Sequence, residues 1–165
     1  MLNVKWIVAL LRVLLVLAFV FLLVMEFFSI PGDILHDLGQ APEAAHLLLP
    51  MLVVAELVMI CFQIVLVCIW VLLTMVRKDR IFSDASLRWV DGIVWSFVAA
   101  WVFFAGLAVY LTAYLYLTPE LRDPGLPLLL FGLTLAGAVV VLLMLVMRAL
   151  LRQATTLRTD MEEVI

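Results

Sequence analysis

Four long apolar runs dominate the sequence, and they restrict the possible folds more than any other feature. A helix that crosses about 30 Å of hydrocarbon, rising about 1.5 Å per residue, needs about 20 mostly apolar residues. Runs of this kind cover residues 6–28, 51–76, 93–117 and 126–147. Backbone groups in lipid must be hydrogen-bonded within their own segment, and strand-like alternation is lacking. We therefore predict four transmembrane helices and not a barrel.

Composition agrees with one membrane domain over residues 1–165. Hydrophobic residues make up 68% of the chain and charged residues 14%, whereas a soluble domain has about 45–50% apolar and about 25% charged residues. A soluble fold of this length could not bury so much apolar surface, but lipid covers it. We predict an all-α polytopic membrane protein whose first helix is retained, because no small-x-small cleavage site follows it.

The basic residues indicate the orientation of the helices. Lysine and arginine occur at the start of the first run as Lys5 and Arg12, in residues 77–92 and in residues 148–165, and only Arg122 falls on the other side. Short loops rich in these residues stay in the cytoplasm. We therefore expect both termini and the loop 77–92 to be cytoplasmic, with residues 29–49 and 118–125 outside.

A polar stripe interrupts the second predicted helix. Glu56, Gln63 and Thr74 project from nearly one of its faces. A charged glutamate within a span costs roughly 2–3 kcal/mol unless it is neutralised, paired or hydrated, so the stripe could line a proton or ion route. Alternatively, Glu56 reaches water near the outer end and Gln63 bonds to a neighbouring helix. A position near a helix end explains Arg12 and Glu26 equally well.

Two segments on the predicted cytoplasmic side have amphipathic character. Ser83 can cap a short helix whose first turn contains Asp84, and apolar residues of the tail 148–165 fall on one helical face. Such segments lie on a membrane surface or bind a partner helix. The candidate contacts with lipid headgroups or with a protein are Arg77, Lys78, Arg80, Phe82, Ser83, Arg88, Arg152 and Arg158.

Small residues indicate where helices could pack closely in lipid. Chance is the alternative explanation, because glycine and alanine are common in membrane helices. If the pattern is meaningful, the third and fourth helices contact each other along it. The candidate positions are Ala99, Gly106 and Ala113 on the third helix, with Gly132 and Ala136 on the fourth and Gly137 beside them.

Motifs for catalysis or metal binding are lacking. The sequence has no Gly-x-Ser-x-Gly, no His-Glu-x-x-His and no phosphate-binding glycine loop, so we expect no enzymatic activity and no cofactor. Cys61 and Cys68 lie within an apolar run and are expected to be buried apolar side chains. Possible ligands for a cation occur in the outer segment but without ligand spacing, and these are Asp33, His36, Asp37, Glu43 and His46.

The loop and the tail resemble those of a known family. The loop reads Arg-Lys-Asp-Arg-Ile-Phe-Ser-Asp-Ala-Ser-Leu-Arg-Trp-Val, and the chain ends in Leu-Leu-Arg-Gln-Ala-Thr-Thr-Leu-Arg-Thr-Asp-Met-Glu-Glu-Val-Ile. Together with the four-helix layout, they resemble the bacterial membrane family called domain of unknown function 2975. The family's loop motif is matched by Arg80, Ile81, Phe82, Ser83 and Arg88. The final Glu-Glu-Val-Ile departs from the Leu-Thr-Val or Leu-Thr-Ile ending of other members.

The resemblance implies a bacterial inner-membrane protein without an established activity. Members often occur beside a small helix-turn-helix regulator, which implies a cytoplasmic protein partner. The chain has no basic domain of the kind that binds nucleic acid, so we expect no direct contact with nucleic acid. We expect a non-enzymatic protein that interacts through its loop and tail while embedded in the lipid bilayer. The alternative is a small transporter or channel component that uses the polar stripe, as a homo-oligomer, because four helices rarely enclose a wide path.

Overall fold

Helices account for every element that the structure, a computed structural model, describes. It describes residues 2–40, 45–76, 84–118 and 124–163. Four helices are long and apolar enough to cross a membrane, so the prediction of an all-α polytopic chain is confirmed. The elements are α1 (Leu2–Val24), a π-helical turn (Met25–Ser29), α2 (Ile30–Gln40), α3 (Ala45–Val76), α4 (Asp84–Leu117) and α5 (Gly125–Glu163).

The helices extend beyond the apolar runs that predicted them. α3 begins at Ala45 instead of residue 51, α4 begins at Asp84 instead of residue 93, and α5 continues past residue 147 to Glu163. Hydropathy marks only the part of a helix that lies in lipid. A helix that has already formed continues at little cost in water where the residues favour it, because nucleation is the expensive step.

Pro50 lies inside α3, although the second apolar run begins only after it. Without an N–H, Pro50 leaves the carbonyl of His46, four residues earlier, without its usual helical partner. The hydroxyl of Tyr110 on α4 donates to this carbonyl at 2.9 Å, and the His46 ring packs against Tyr114 with centroids 5.0 Å apart. The start of α3 is thereby attached to the end of α4.

A second proline explains the π-helical turn between α1 and α2. Pro31 cannot donate to the carbonyl of Phe27, and its ring would clash with that carbonyl in a regular α-helix. The chain forms a wider turn over Met25–Ser29 immediately before it. This turn contains Glu26, a residue of the polar cluster described below.

The long helices pack in sequence order. The contacts between α3 and α4 are the most extensive, followed by those between α4 and α5, and α1 packs against α3. No comparable contact joins α1 to α5 among the described residues. The helices therefore form an open row, α1–α3–α4–α5, and not a closed four-helix bundle.

Successive spans in the row are antiparallel. The beginning of α1 meets the end of α3 through Arg12 and Thr74, and the beginning of α4 meets the end of α5 through Asp91 and Arg148. Both ends of the described chain therefore lie at the same side of the row, which we call the termini side. His46 and Tyr110 lie at the opposite side.

Few side chains are buried, and they concentrate in the middle of the row. Cys61 and Cys68 of α3 are buried free thiols, as predicted, and Val94 of α4 is the most buried apolar residue. Phe62 and Phe97 make an edge-to-face contact between α3 and α4. Many large apolar side chains on all four spans are exposed, as expected where lipid replaces the core as the apolar medium.

The glycines that allow close packing are only partly the predicted ones. Gly106 and Gly132 face open space, and Ala113 and Ala136 are exposed while Ala99 is partly buried. The helices predicted to touch do so, but not at Gly106 or Gly132, because spacing alone cannot tell a lipid-facing position from an interface. Gly137, beside the predicted pair on α5, approaches Trp101, and Gly92 approaches Cys68.

Trp101 makes the closest approach between α4 and α5. Its indole N–H donates to the backbone carbonyl of Thr134 at 2.9 Å. A Cβ on Gly137 would lie 2.7 Å from Cδ1 of this ring, too close for any real contact. Only glycine at residue 137 lets the indole reach the backbone of α5.

Replacing Gly137 with alanine should therefore weaken the packing of α4 on α5. We expect Gly137→Ala to lower the free energy of unfolding in detergent micelles by about 1–3 kcal/mol, the usual cost of overpacking. Gly132→Ala on the same helix is the matched control, because nothing lies within 4 Å of its Cβ position. Equal stability of the two variants would show that the indole does not pack on Gly137.

Candidate functional site

A polar cluster lies between the far end of α1 and the middle of α3. The side-chain amide of Gln63 donates to Oε2 of Glu26 in the π-helical turn. Glu56 lies on the same face of α3, and its carboxyl group interacts electrostatically with that of Glu26. One carboxylate oxygen of Glu56, Oε1, is buried without a hydrogen-bond partner in the described structure. Two carboxyl groups and one amide thus share a small region inside the span.

A second polar contact joins α1 and α3 nearer the termini side. The Nη2 atom of Arg12 donates to the hydroxyl of Thr74 at 3.2 Å, and that hydroxyl donates to the carbonyl of Trp70 at 3.0 Å. The Arg12 guanidinium carbon lies 5.4 Å from the centre of the Trp70 ring, within cation–π range. The Nε atom of Arg12 is buried and has no partner.

Thr74 therefore faces α1, and Gln63 faces the π-helical turn that follows it. Gln63 bonds to a neighbouring segment, as one of the two sequence interpretations proposed, and Arg12 and Glu26 do more than mark the ends of a helix. In the described chain, both α1 and α2 pack against α3 at this edge of the row. The cluster offers acceptors and donors for a proton or a cation, but no enclosed path.

An ion pair joins α4 to α5 at the termini side. Arg148 donates through Nε to Oδ1 of Asp91 and through Nη2 to Oδ2, the latter at 2.8 Å. This two-bond geometry fixes the relative orientation of both groups. The side chains are 27% and 37% exposed for Arg148 and Asp91, so water screens their attraction in part.

Buried hydroxyls accompany the ion pair. Ser86 at the start of α4 and Thr155 near the end of α5 are both buried, although each lies beyond the apolar runs. The hydroxyl of Thr155 donates to the carbonyl of Leu151 at 2.9 Å, and Ser96 donates to the carbonyl of Gly92 at 2.8 Å. Both α4 and α5 thus carry buried residues outside the apolar part of the hairpin.

The predicted interaction residues are only partly within the described structure. Arg88 and Arg152 are exposed on α4 and α5, and Arg152 also interacts electrostatically with Asp91. Arg158 belongs to α5. The remaining residues of that prediction lie outside the described residues, namely Arg77, Lys78, Arg80, Phe82 and Ser83.

The possible cation ligands of the outer segment do not form a cluster in the described structure. His36 and Asp37 are exposed on α2, and His46 packs against Tyr114. Asp33 is a residue of α2, and Glu43 lies outside the described residues. Within the described part of the chain, no three histidine, cysteine or acidic residues are arranged to hold a metal ion.

Comparison with known proteins identifies the family. A family model described as "Protein of unknown function (DUF2975)" matches residues 35–165, which is more than half of the 165 residues. The chain belongs to this family. The DUF2975 match includes α3, α4 and α5, whereas α1 lies outside it. No curated protein and no solved structure gives a significant match.

The Asp91–Arg148 ion pair was not predicted from the sequence, although a signal for it exists. Asp91 lies just before the third apolar run, and Arg148 just after the fourth. Antiparallel neighbours place these two positions at the same level. Opposite charges at matching ends of adjacent spans therefore predict an ion pair, even where each residue by itself only marks the end of an apolar run.

Removing either partner of this ion pair should loosen the hairpin of α4 and α5. We expect Asp91→Asn and Arg148→Gln each to lower the melting temperature in detergent, and the double variant to lose less than the sum, because both remove the same interaction. Arg88→Gln, an exposed arginine on α4, is the control and should leave the melting temperature nearly unchanged. Strictly additive losses would contradict the pairing.

Proposed function

We propose that this multi-pass membrane protein is a non-enzymatic interaction protein that presents the ends of α4 and α5 to a cytoplasmic protein partner. The observation that carries the proposal is that α5 continues as one helix to Glu163, beyond the Asp91–Arg148 ion pair that holds it to α4. A helix-turn-helix regulator is the partner that the family resemblance suggests. Distribution of lysine and arginine supports the cytoplasmic orientation.

The length of α5 supports this proposal. Its 39 residues extend about 58 Å at about 1.5 Å per residue, whereas the hydrocarbon layer is about 30 Å thick. Residues 149–163 follow the ion pair and add about 22 Å of helix on the termini side. A helix that projects so far from the bilayer offers a surface to a partner and can form a helix–helix contact with it.

The packing at the base of this projection also supports it. The Asp91–Arg148 ion pair holds α5 to α4, and Ser86 and Thr155, which lie beyond it on the two helices, are both buried. A helix that is already ordered loses less conformational entropy when a partner binds than a disordered tail does. Residues 84–92 of the predicted loop form the start of α4, so this part of the loop and the tail are available to the same partner.

A second candidate function, transport of a proton or cation, is favoured by one observation. Oε1 of Glu56 is buried without a hydrogen-bond partner in the described chain, beside Glu26 and Gln63. A carboxyl group in this position is either protonated or lacks a ligand. Because the row of helices is open, a second copy of the chain would have to close the path.

Crosslinking in native membranes, followed by purification of the tagged chain, separates the two candidates. We expect a soluble protein to be captured by the wild-type chain and by Glu56→Gln. Deletion of residues 150–165 should abolish the capture, because it removes the projecting part of α5 and leaves the Asp91–Arg148 ion pair intact. Asp91→Asn should reduce the capture, because the projection loses its attachment to α4.

Equal capture by the deletion variant and the wild-type chain would contradict the proposed interaction. Loss of a cellular phenotype in Glu56→Gln, with capture unchanged, would favour transport. Insertion of each variant into the membrane is verified by its resistance to carbonate extraction, so that a misfolded chain is not mistaken for one that has lost its partner.

A further inference from the structure

Arg12 is a charged group inside a membrane span without a counter-charge. It lies four residues after Val8, where the first apolar span begins, which places it about 6 Å inside that span. No carboxylate forms an ion pair with Arg12 in the described structure. Thr74 and Trp70 satisfy only part of the guanidinium, and Nε remains buried without a partner.

An open apolar groove begins at this arginine. It runs along the surface between α1 and α3 and is lined by Arg12, Val13, Val16, Leu17, Val20 and Trp70. From Arg12 to Val20 the groove follows α1 for about 12 Å toward the middle of the membrane. A second apolar depression between the same helices shares Val16 and Trp70 with it.

The arrangement has the chemistry of an amphiphile with one negative charge. The Arg12 guanidinium lines one end of the groove about 6 Å inside the span, and apolar surface extends from it toward the middle of the membrane. Arginine donates to phosphate oxygens in a planar, two-bond geometry, and basic sites between transmembrane helices bind anionic headgroups. A soluble anion would satisfy Arg12 but would leave the apolar groove without an occupant.

We propose that the groove between α1 and α3 binds one anionic phospholipid, with its phosphodiester on Arg12 and an acyl chain along Val13, Val16 and Val20. The lipid supplies the missing negative charge, and Trp70 holds the guanidinium in place. The site does not depend on which side of the membrane is cytoplasmic. It is also independent of the proposed protein partner, because α1 is remote from the projecting end of α5 in the row.

Native mass spectrometry of the full chain tests this inference. The chain is released from nanodiscs that contain equal parts of phosphatidylglycerol and phosphatidylcholine, and the lipid that remains bound is identified. Both lipids carry a phosphodiester, but the choline cation of phosphatidylcholine offsets its charge, so we expect the wild-type chain to retain phosphatidylglycerol about tenfold over phosphatidylcholine. Arg12→Gln should bring the two lipids to near-equal retention, and Arg12→Lys should give an intermediate preference.

Two further variants separate the groove from general surface charge. Arg88→Gln removes an exposed arginine from α4 at the termini side and should leave the preference unchanged. Val16→Phe fills the groove without changing the charge and should lower the amount of both bound lipids. Retained preference in Arg12→Gln, equal loss in Arg88→Gln, or unchanged lipid binding in Val16→Phe would each overturn the proposal.

Discussion

The structure depends on a constraint that the lipid imposes: a polar group within a span must find its partner inside the protein. Apolar side chains gain little by moving from lipid to a helix interface, so they do not decide which helices become neighbours. The polar contacts do so here. Tyr110 donates to the carbonyl that Pro50 leaves unpaired, Gln63 donates to Glu26, and Trp101 donates to a carbonyl of α5. Each joins helices that follow one another in the row.

An open row gives the two edges different properties. At one edge, α1 holds to the rest through a few polar contacts and borders apolar grooves, and it lies outside the residues that match the family. At the other edge, α5 packs closely on α4 through Gly137 and the Asp91–Arg148 ion pair. The family match therefore coincides with the tightly packed part of the molecule. The edge helix carries the arginine that we assign to a lipid.

Sequence reasoning recovered the four spans because hydropathy reports directly on what lipid tolerates. It gave the wrong start of α3, since a proline within a helix is tolerated when a neighbour satisfies the freed carbonyl, and Tyr110 is not near Pro50 in sequence. From the spacing of small residues we predicted helix contacts at Gly106 and Gly132, which face open space. The close contacts are made by Gly92 and Gly137. Spacing gives a face of one helix, but the contact depends on the large side chain opposite, here Trp101.

The polar stripe also shows which features can be predicted from one helix alone and which depend on two. The period of α3 placed Glu56, Gln63 and Thr74 on one face, and that face does meet another helix. Glu26 could not be assigned as a partner, because the π-helical turn changes the helical register after residue 24. Arg12 could not be assigned, because the sequence does not contain the rotation of α1 relative to α3. To predict a contact between two helices, one must know which face each helix turns toward the other. The sequence shows which residues share a face of one helix, but not which faces meet.

The proposed topology has four helices that cross the bilayer, with both ends in the cytoplasm. Labelling of single cysteines tests this topology most directly. The native thiols, Cys61 and Cys68, are buried in α3 and give little background. In intact cells, a membrane-impermeant maleimide should label Asp37→Cys on α2, and should label Glu163→Cys at the end of α5 only after the membrane is permeabilised. Labelling of both positions in intact cells would contradict the four-span topology, and labelling of Glu163→Cys alone would invert its orientation.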